Sequence, residues 1–294
     1  MKTESAKKRL IRRVRRQRLK YITILPSLIT ILNGIFGFAA IIVTSRGHFT
    51  LAGYLILLAM IADMLDGRLA RISQNTSSFG GQLDSLCDVI SFGVAPAFLM
   101  LKVLESELSP EWLNLNDQSF IQRFIWVTSA AYVSCAAIRL ARFNVENDED
   151  TSAHMSFIGL PTPAAAGVIV SLIIFQQKHM DILSVLSVTI IFTLPFFALG
   201  VAMLMVSRIR YPHVLNQYLK GKKPFSDLIK VVLLVFVIWW NLQAALAAIF
   251  CVFAASSFVK WLYYRIPLFR SYSRLHSAQI HPEEPDSIEN LKMP

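Results

Sequence analysis

Of the 294 residues, 54% are hydrophobic and only 16% charged, and the mean hydropathy is +0.51. Soluble domains run at about 45–50% apolar and about 25% charged, which excludes an ordinary soluble enzyme and a disordered chain. Cys87, Cys135 and Cys251 sit singly in apolar runs without a CxxC, so neither a disulfide framework nor a zinc site is indicated. The composition is that of an all-α polytopic membrane protein.

The formal net charge of +10 is concentrated at the start of the chain. Residues 1–20 hold Lys2, Lys7, Lys8, Arg9, Arg12, Arg13, Arg15, Arg16, Arg18 and Lys20 against Glu4 alone, and the remainder is close to neutral. No stacking aromatics or recognition fold accompany this block, so nucleic acid is not the expected partner. Placed directly before an apolar span, it reads as a cytosolic segment resting on anionic headgroups, at about 1 kcal/mol per basic residue. A cleaved signal peptide is not expected, because the following apolar run is long enough to span.

A membrane helix needs about 20 apolar residues. The pattern predicts spans at 22–43, 50–72, 81–103, 124–145, 162–177, 182–206, 228–241 and 243–262, the last two separated by a tight WNLQ stretch (Trp240–Gln243). Eight spans put both termini on one side. The basic 207–230 connection suits the cytosol and the acidic 105–122 connection suits the outside, whereas the acidic loop 146–153 falls inside on this count. Residues 269–294 form a polar tail. Four regions follow: a basic surface segment (1–20), a core (21–212), a connection with the last two spans (213–268) and the tail (269–294).

Spans two and three carry four acids, Asp63, Asp66, Asp84 and Asp88. A carboxylate at membrane depth is costly and marks function. Asp63 and Asp66 are i, i+3, and Asp84 and Asp88 are i, i+4, so each pair leaves one face of its helix. The short polar connection 73–80 makes the two helices antiparallel neighbours, and all four acids converge near the cytosolic end. Four adjacent carboxylates need cations. Hard oxygen ligands suit Mg²⁺ or Mn²⁺, and two such ions would clamp a diphosphate. Burial of the acids against Arg68 and Arg71 would leave two of them unneutralised. A proton or cation transporter also places acids in its spans. The small residues Gly67, Ala70 and Gly80 admit a bulky group close to the backbone, and Arg71 suits a phosphate; together they favour a nucleotide-diphosphate cradle.

The pattern Asp63-xx-Asp66-Gly67-xx-Ala70-Arg71-x8-Gly80-xxx-Asp84-xxx-Asp88 resembles the signature of the CDP-alcohol phosphotransferase family at every fixed position. The stretches PSLITILNGIFGFAA (26–40), SFGVAPA (91–97), RLARFN (139–144), FIGLPTPAAAG (157–167) and MVSRIRYP (205–212) resemble its phosphatidylserine synthase branch. The resemblance implies a homodimer with a cytosolic active site in each six-helix core. It implies two divalent ions, Mg²⁺ or Mn²⁺, on Asp63, Asp66, Asp84 and Asp88, with Asp88 also the general base. Gly67, Arg71 and Ser77 would contact the CDP moiety of CDP-diacylglycerol, and L-serine would be the acceptor, giving phosphatidylserine and CMP. A sibling reaction with glycerol 3-phosphate or inositol is the alternative within the family.

Around this signature, Ser27, Thr30 and Asn33 form one face of span one, available to the nucleotide or to helix–helix hydrogen bonds. Arg139, Arg142 and Asn144 are candidates for the serine carboxylate or a substrate phosphate, and snorkelling is the other role open to the arginines. Gly159-Leu160-Pro161 would shape the acceptor pocket or start span five, with Pro161 and Pro163 in its first turn. His154 reads as a solvated loop residue, and the aromatics of 236–264 as an interface belt. The expected location is a bacterial cytoplasmic membrane, with the active site and both termini cytosolic.

Overall fold

The computed structural model describes residues 26–73, 78–108, 118–149, 156–178, 184–212 and 241–265. Helix α1 (Pro26–Ser45) is followed by a turn in which Gly47, at φ 80°, donates its N–H to the Thr44 carbonyl at 3.0 Å. Then come α2 (Phe49–Ser73), α3 (Ser78–Asp88), a π-helical turn (Val89–Val94) and α4 (Ala95–Glu107). Next are α5 (Gln118–Glu149), strand β1 (Ser156–Ile158), α6 (Thr162–Lys178), α7 (Ser184–Val206), strand β2 (Arg210–Pro212) and α8 (Leu242–Arg265).

Helices stand at seven of the eight expected spans, α3, the π turn and α4 together making the third. Among the described residues, five stretches are long and apolar enough to cross a membrane: Pro26–Ser45, Phe49–Ala70, Phe79–Glu107, Phe120–Val145 and Val185–Val206. Their outer faces are apolar, with Leu28, Phe38, Val127, Phe196 and Met203 exposed, as lipid requires. The chain is an integral membrane protein. Helix α6 has 17 residues and the apolar part of α8, Leu242–Ser256, is also shorter than a full span. The expected span at 228–241, the basic segment 1–20, Ser77, His154 and the tail 269–294 lie outside the described residues, Asn241 excepted. Asn241 opens α8 as its cap, its Oδ1 accepting the Ala244 N–H at 3.2 Å.

Helix α6 is the centre of the bundle: twelve of its seventeen residues are buried, and it packs on α2, α4, α7 and α8. Its Ala164–Gly167 run is what lets neighbours approach. A Cβ at Gly167 would collide with the Phe250 ring of α8, and one at Gly53 of α2 would lie 2.7 Å from Ile174. Without a hydrophobic driving force between helices in lipid, such small-residue contacts supply the packing.

Two features depart from the sequence expectations. Ser78–Gly80 are helical, so the connection between spans two and three is shorter than 73–80. Among the described residues, otherwise helical, there is also an antiparallel ribbon in which Ser156, Phe157 and Ile158 pair with Pro212, Tyr211 and Arg210. FIGLPTP and MVSRIRYP, about fifty residues apart, are therefore two sides of one structure. Three-residue strands carry too little alternation to be read from sequence. The ribbon closes on Gly159, at φ 82°, whose N–H donates to Ile209 O at 2.8 Å, while Leu160 N–H donates to Leu204 O at 3.0 Å.

Gly159→Ala is expected to destabilise the protein by about 1–3 kcal/mol from the left-handed backbone alone. Its added Cβ would also meet the Met205 carbonyl oxygen, which is main chain. Gly47→Ala shares the positive φ but faces nothing within 4 Å. Thermal midpoints in detergent should therefore fall further for Gly159→Ala than for Gly47→Ala. Equal midpoints would show that the ribbon yields freely.

Candidate active site

Helices α2 and α3 bring their acids together. One carboxylate oxygen each from Asp63, Asp66 and Asp84 lies within 4.8 Å of the other two. Asp66 is buried, and its Oδ2 and the Oδ1 of Asp84 have no hydrogen-bond partner. The fourth acid, Asp88, stands beside this trio, within electrostatic reach of all three. It is buried, and its Oδ1 accepts a hydrogen bond from Asn33 Nδ2 at 3.0 Å. The expected convergence thus resolves into a cluster of three and a separately held fourth.

No described ion pair reaches the cluster: Lys102–Glu105, at 2.8 Å, lies within α4, and Arg139 acts on Asp63 and Asp88 electrostatically without pairing to them. Arg68 is exposed and forms no described ion pair with the acids. The backbone of Arg71 continues α2, while its side chain lies outside the described residues. Buried anionic oxygens without partners are costly, and an all-oxygen donor set is the kind that hard divalent cations take. The residues present fit such an ion.

Helix α1 supplies the wall. Asn33 bonds Asp88 through its amide, and its main-chain carbonyl accepts the Ser91 hydroxyl at 2.9 Å. Thr30 donates to Pro26 O at 3.0 Å and faces Asp66; Ser27, on the same face, is half-buried. Gly37 makes this approach possible, because a Cβ there would run into Ser91. Of the two roles open to this face, Asn33 fills the helix–helix one.

Of the small residues, Gly67 leaves room. A Cβ on Gly67 would meet nothing within 4 Å, so open space adjoins the backbone next to Asp66. Ala70 and Gly80 are half-buried on the facing helix ends.

The acceptor candidates separate. Arg139, 7% exposed, donates from Nη1 to Thr162 Oγ1 at 2.8 Å, and its guanidinium carbon lies 5.7 Å from the Phe143 ring centroid. Its buried Nε has no partner, and it interacts electrostatically with Asp88 and Asp63. Arg142 donates to Val206 O at 3.3 Å, holding the C-terminus of α7. Asn144 Oδ1 accepts from Ser85 Oγ at 3.0 Å, and Ser85 stands between Asp84 and Asp88 on α3. The sequence reading did not single out Ser85, Ser91, Thr162 or Tyr132. Thr162 lay inside a quoted motif, and Pro96 in mid-span was the available signal for Tyr132, whose hydroxyl donates to Phe92 O at 3.0 Å.

The model of the CDP-alcohol phosphatidyltransferase family matches residues 23–206, which takes in α1 to α7 with the four acids. The chain belongs to this family. It is 32% identical over 243 residues to the CDP-diacylglycerol–serine O-phosphatidyltransferase of Helicobacter pylori (strain ATCC 700392 / 26695), covering 83% of this chain and 93% of that protein. To the enzyme of that name from Methanocaldococcus jannaschii it is 35% identical over 198 residues, 67% of this chain and 78% of the relative. To the archaetidylserine synthase of Methanothermobacter thermautotrophicus it is 34% identical over 192 residues, 65% and 70% respectively. CDP-alcohol phosphatidyltransferases generally depend on divalent metal, in keeping with the partnerless oxygens of Asp66 and Asp84.

Proposed function

We propose that the protein transfers the phosphatidyl group of CDP-diacylglycerol to the hydroxyl of L-serine, giving phosphatidylserine and CMP. The observation that carries this reading is the trio Asp63, Asp66 and Asp84 with its unmatched oxygens, set beside a separately held Asp88. Serine as acceptor is supported by the names of the similar proteins.

Asp63, Asp66 and Asp84, with Asp88 at their edge, would hold two divalent cations, Mg²⁺ or Mn²⁺. When bound, such ions supply charge neutralisation for a diphosphate and for its leaving group. Gly67 leaves the backbone open to the cytidine diphosphate, with Ala70, Arg71, Ser77, Gly80, Ser27 and Thr30 around it. Asp88, oriented by Asn33, accepts the proton of the serine hydroxyl as that oxygen bonds to the phosphatidyl phosphorus. The phosphorus–oxygen bond to CMP breaks in the same displacement, and CMP departs with the electron pair. Arg139, fixed by Thr162 with its Nε unmatched, supplies the cation for the serine carboxylate or a substrate phosphate; Asn144 borders the same space.

In this reading residues 21–212 form the catalytic core, between the basic segment 1–20 and the region 213–268 with the tail 269–294. The core works as a homodimer. The basic segment lies on anionic lipid, which puts both termini and the active site on the cytosolic face of a bacterial inner membrane.

The test is CMP release by the full-length protein in detergent, supplied with CDP-diacylglycerol and Mn²⁺ or Mg²⁺. Serine, glycerol 3-phosphate, inositol and no acceptor are compared, with EDTA as a control. Release that requires serine and is abolished by EDTA is expected. Release driven by another alcohol overturns the acceptor, and no release with any of them overturns the reaction.

A further inference from the structure

The third span is not a continuous α-helix. Between α3 and α4, Val89–Val94 form a π turn, in which the Ala95 N–H reaches back to Ile90 O. A π turn inserts one residue into the helical phase, and one residue is about 100° of rotation. The consequence can be read from burial. The buried stripe of α4 runs through Pro96, Leu99, Met100, Val103 and Leu104. Continued backwards at 3.6 residues per turn, it would bring Val89 and the Ser85–Leu86 pair inward. Instead Cys87 and Asp88 are the buried pair and Leu86 is 65% exposed, with Asp84, Ser85 and Val89 half-buried beside them. Without the inserted residue, Asp84 and Asp88 would not face Asp63, Asp66 and Asn33.

A π turn is not self-sustaining, and contacts with α5 and α1 hold this one from outside. Pro96 has no N–H, so it cannot donate to Phe92 O, the carbonyl it would meet in an α-helix. The hydroxyl of Tyr132 on α5 donates to that carbonyl at 3.0 Å. Tyr132 is fully buried, and so is Phe92. From the α1 side, Ser91 of the same turn donates to Asn33 O, the residue that also bonds Asp88.

We infer that Tyr132 is a positioning residue: by holding the π turn through Phe92 O, it sets the rotation of α3 and so aims Asp84 and Asp88 at the cation site. The inference rests on the carboxylate cluster being that site. Loss of a partner that orients metal ligands costs about 10–100-fold in metal affinity or activity, and this is the loss expected for Tyr132→Phe, which keeps the ring and removes the donor.

The experiment measures Mn²⁺ binding by electron paramagnetic resonance, thermal midpoint in EDTA, and CMP release, on the full chain in detergent. Ile173→Val, a substitution in the buried core on α6, serves as the control for lost packing. Tyr132→Phe is expected to weaken Mn²⁺ binding and lower turnover, while Ile173→Val leaves Mn²⁺ binding unchanged. In Tyr132→Phe/Pro96→Ala, an N–H returns at position 96 but serves an α turn, so Mn²⁺ binding stays weak even where the midpoint recovers. Wild-type Mn²⁺ binding in Tyr132→Phe, or its return in the double variant, overturns the inference. A wild-type protein that binds Mn²⁺ yet releases no CMP with serine would overturn the proposed reaction, and the binding comparison would still decide the role of Tyr132.

Discussion

Asp88→Asn is expected to lower CMP release by about 10²–10⁴-fold, the range over which a positioned general base contributes. The substitution keeps the volume of the side chain and an oxygen that can still accept from Asn33 Nδ2, so the wall between α1 and α3 should stand. It removes the basicity, and it removes one of four neighbouring negative charges. Three neighbouring acids repel that charge and Arg139 alone attracts it, so relief of repulsion outweighs the loss and the thermal midpoint in EDTA should hold or rise. This combination separates chemistry from folding: a dead enzyme at least as stable as the parent. Near-normal turnover would remove Asp88 from the role of base, and a fallen midpoint in EDTA would show that its carboxylate is matched by a cation of the protein.

Asp66→Asn carries the second large effect, and it is one of binding. Asp66 is the most buried member of the trio, and its Oδ2 has no partner. An amide there replaces an anionic ligand by a neutral one. Mn²⁺ binding is expected to weaken by about 10²-fold or more, beyond the usual effect of an orienting neighbour, with turnover partly restored by raising Mn²⁺. The rival account, in which the acids are one half of buried ion pairs, predicts the opposite for stability. Removing one partner of a buried pair costs about 3–5 kcal/mol, so Asp66→Asn would melt early even in EDTA. The described residues place no Lys or Arg in an ion pair with Asp66, and no such loss is expected. Titration of Mn²⁺ into both proteins, with midpoints measured in EDTA, distinguishes the two accounts.

The acids were legible because lipid makes them conspicuous. Asp63, Asp66, Asp84 and Asp88 interrupt apolar runs at helical spacing, and a short connection between the two helices puts them at one end. Their division into three and one was not legible, since it depends on Asn33, which reaches Asp88 from a helix 55 positions away in sequence. Arg139 and Arg142 look alike in RLARFN, yet one is buried against Thr162 and the other caps α7. Three positions along α5 is enough to turn a side chain from the bundle interior toward the end of a neighbouring helix.

By itself the sequence determined that this chain lives in a membrane, where its described helices run, and that carboxylates of two successive spans meet. Those properties follow from local quantities: the length of apolar runs, the cost of an acid among them and the 3.6-residue period. Only the tertiary structure decided the rotation of α3 against α4, the β1–β2 ribbon and which polar groups are spent on holding others. Each of these depends on contacts between segments distant in the chain, such as Tyr132 with Phe92 or Gly159 with Ile209. A helix period carries no information about a residue inserted into it. The partner that holds the insertion lies on another helix.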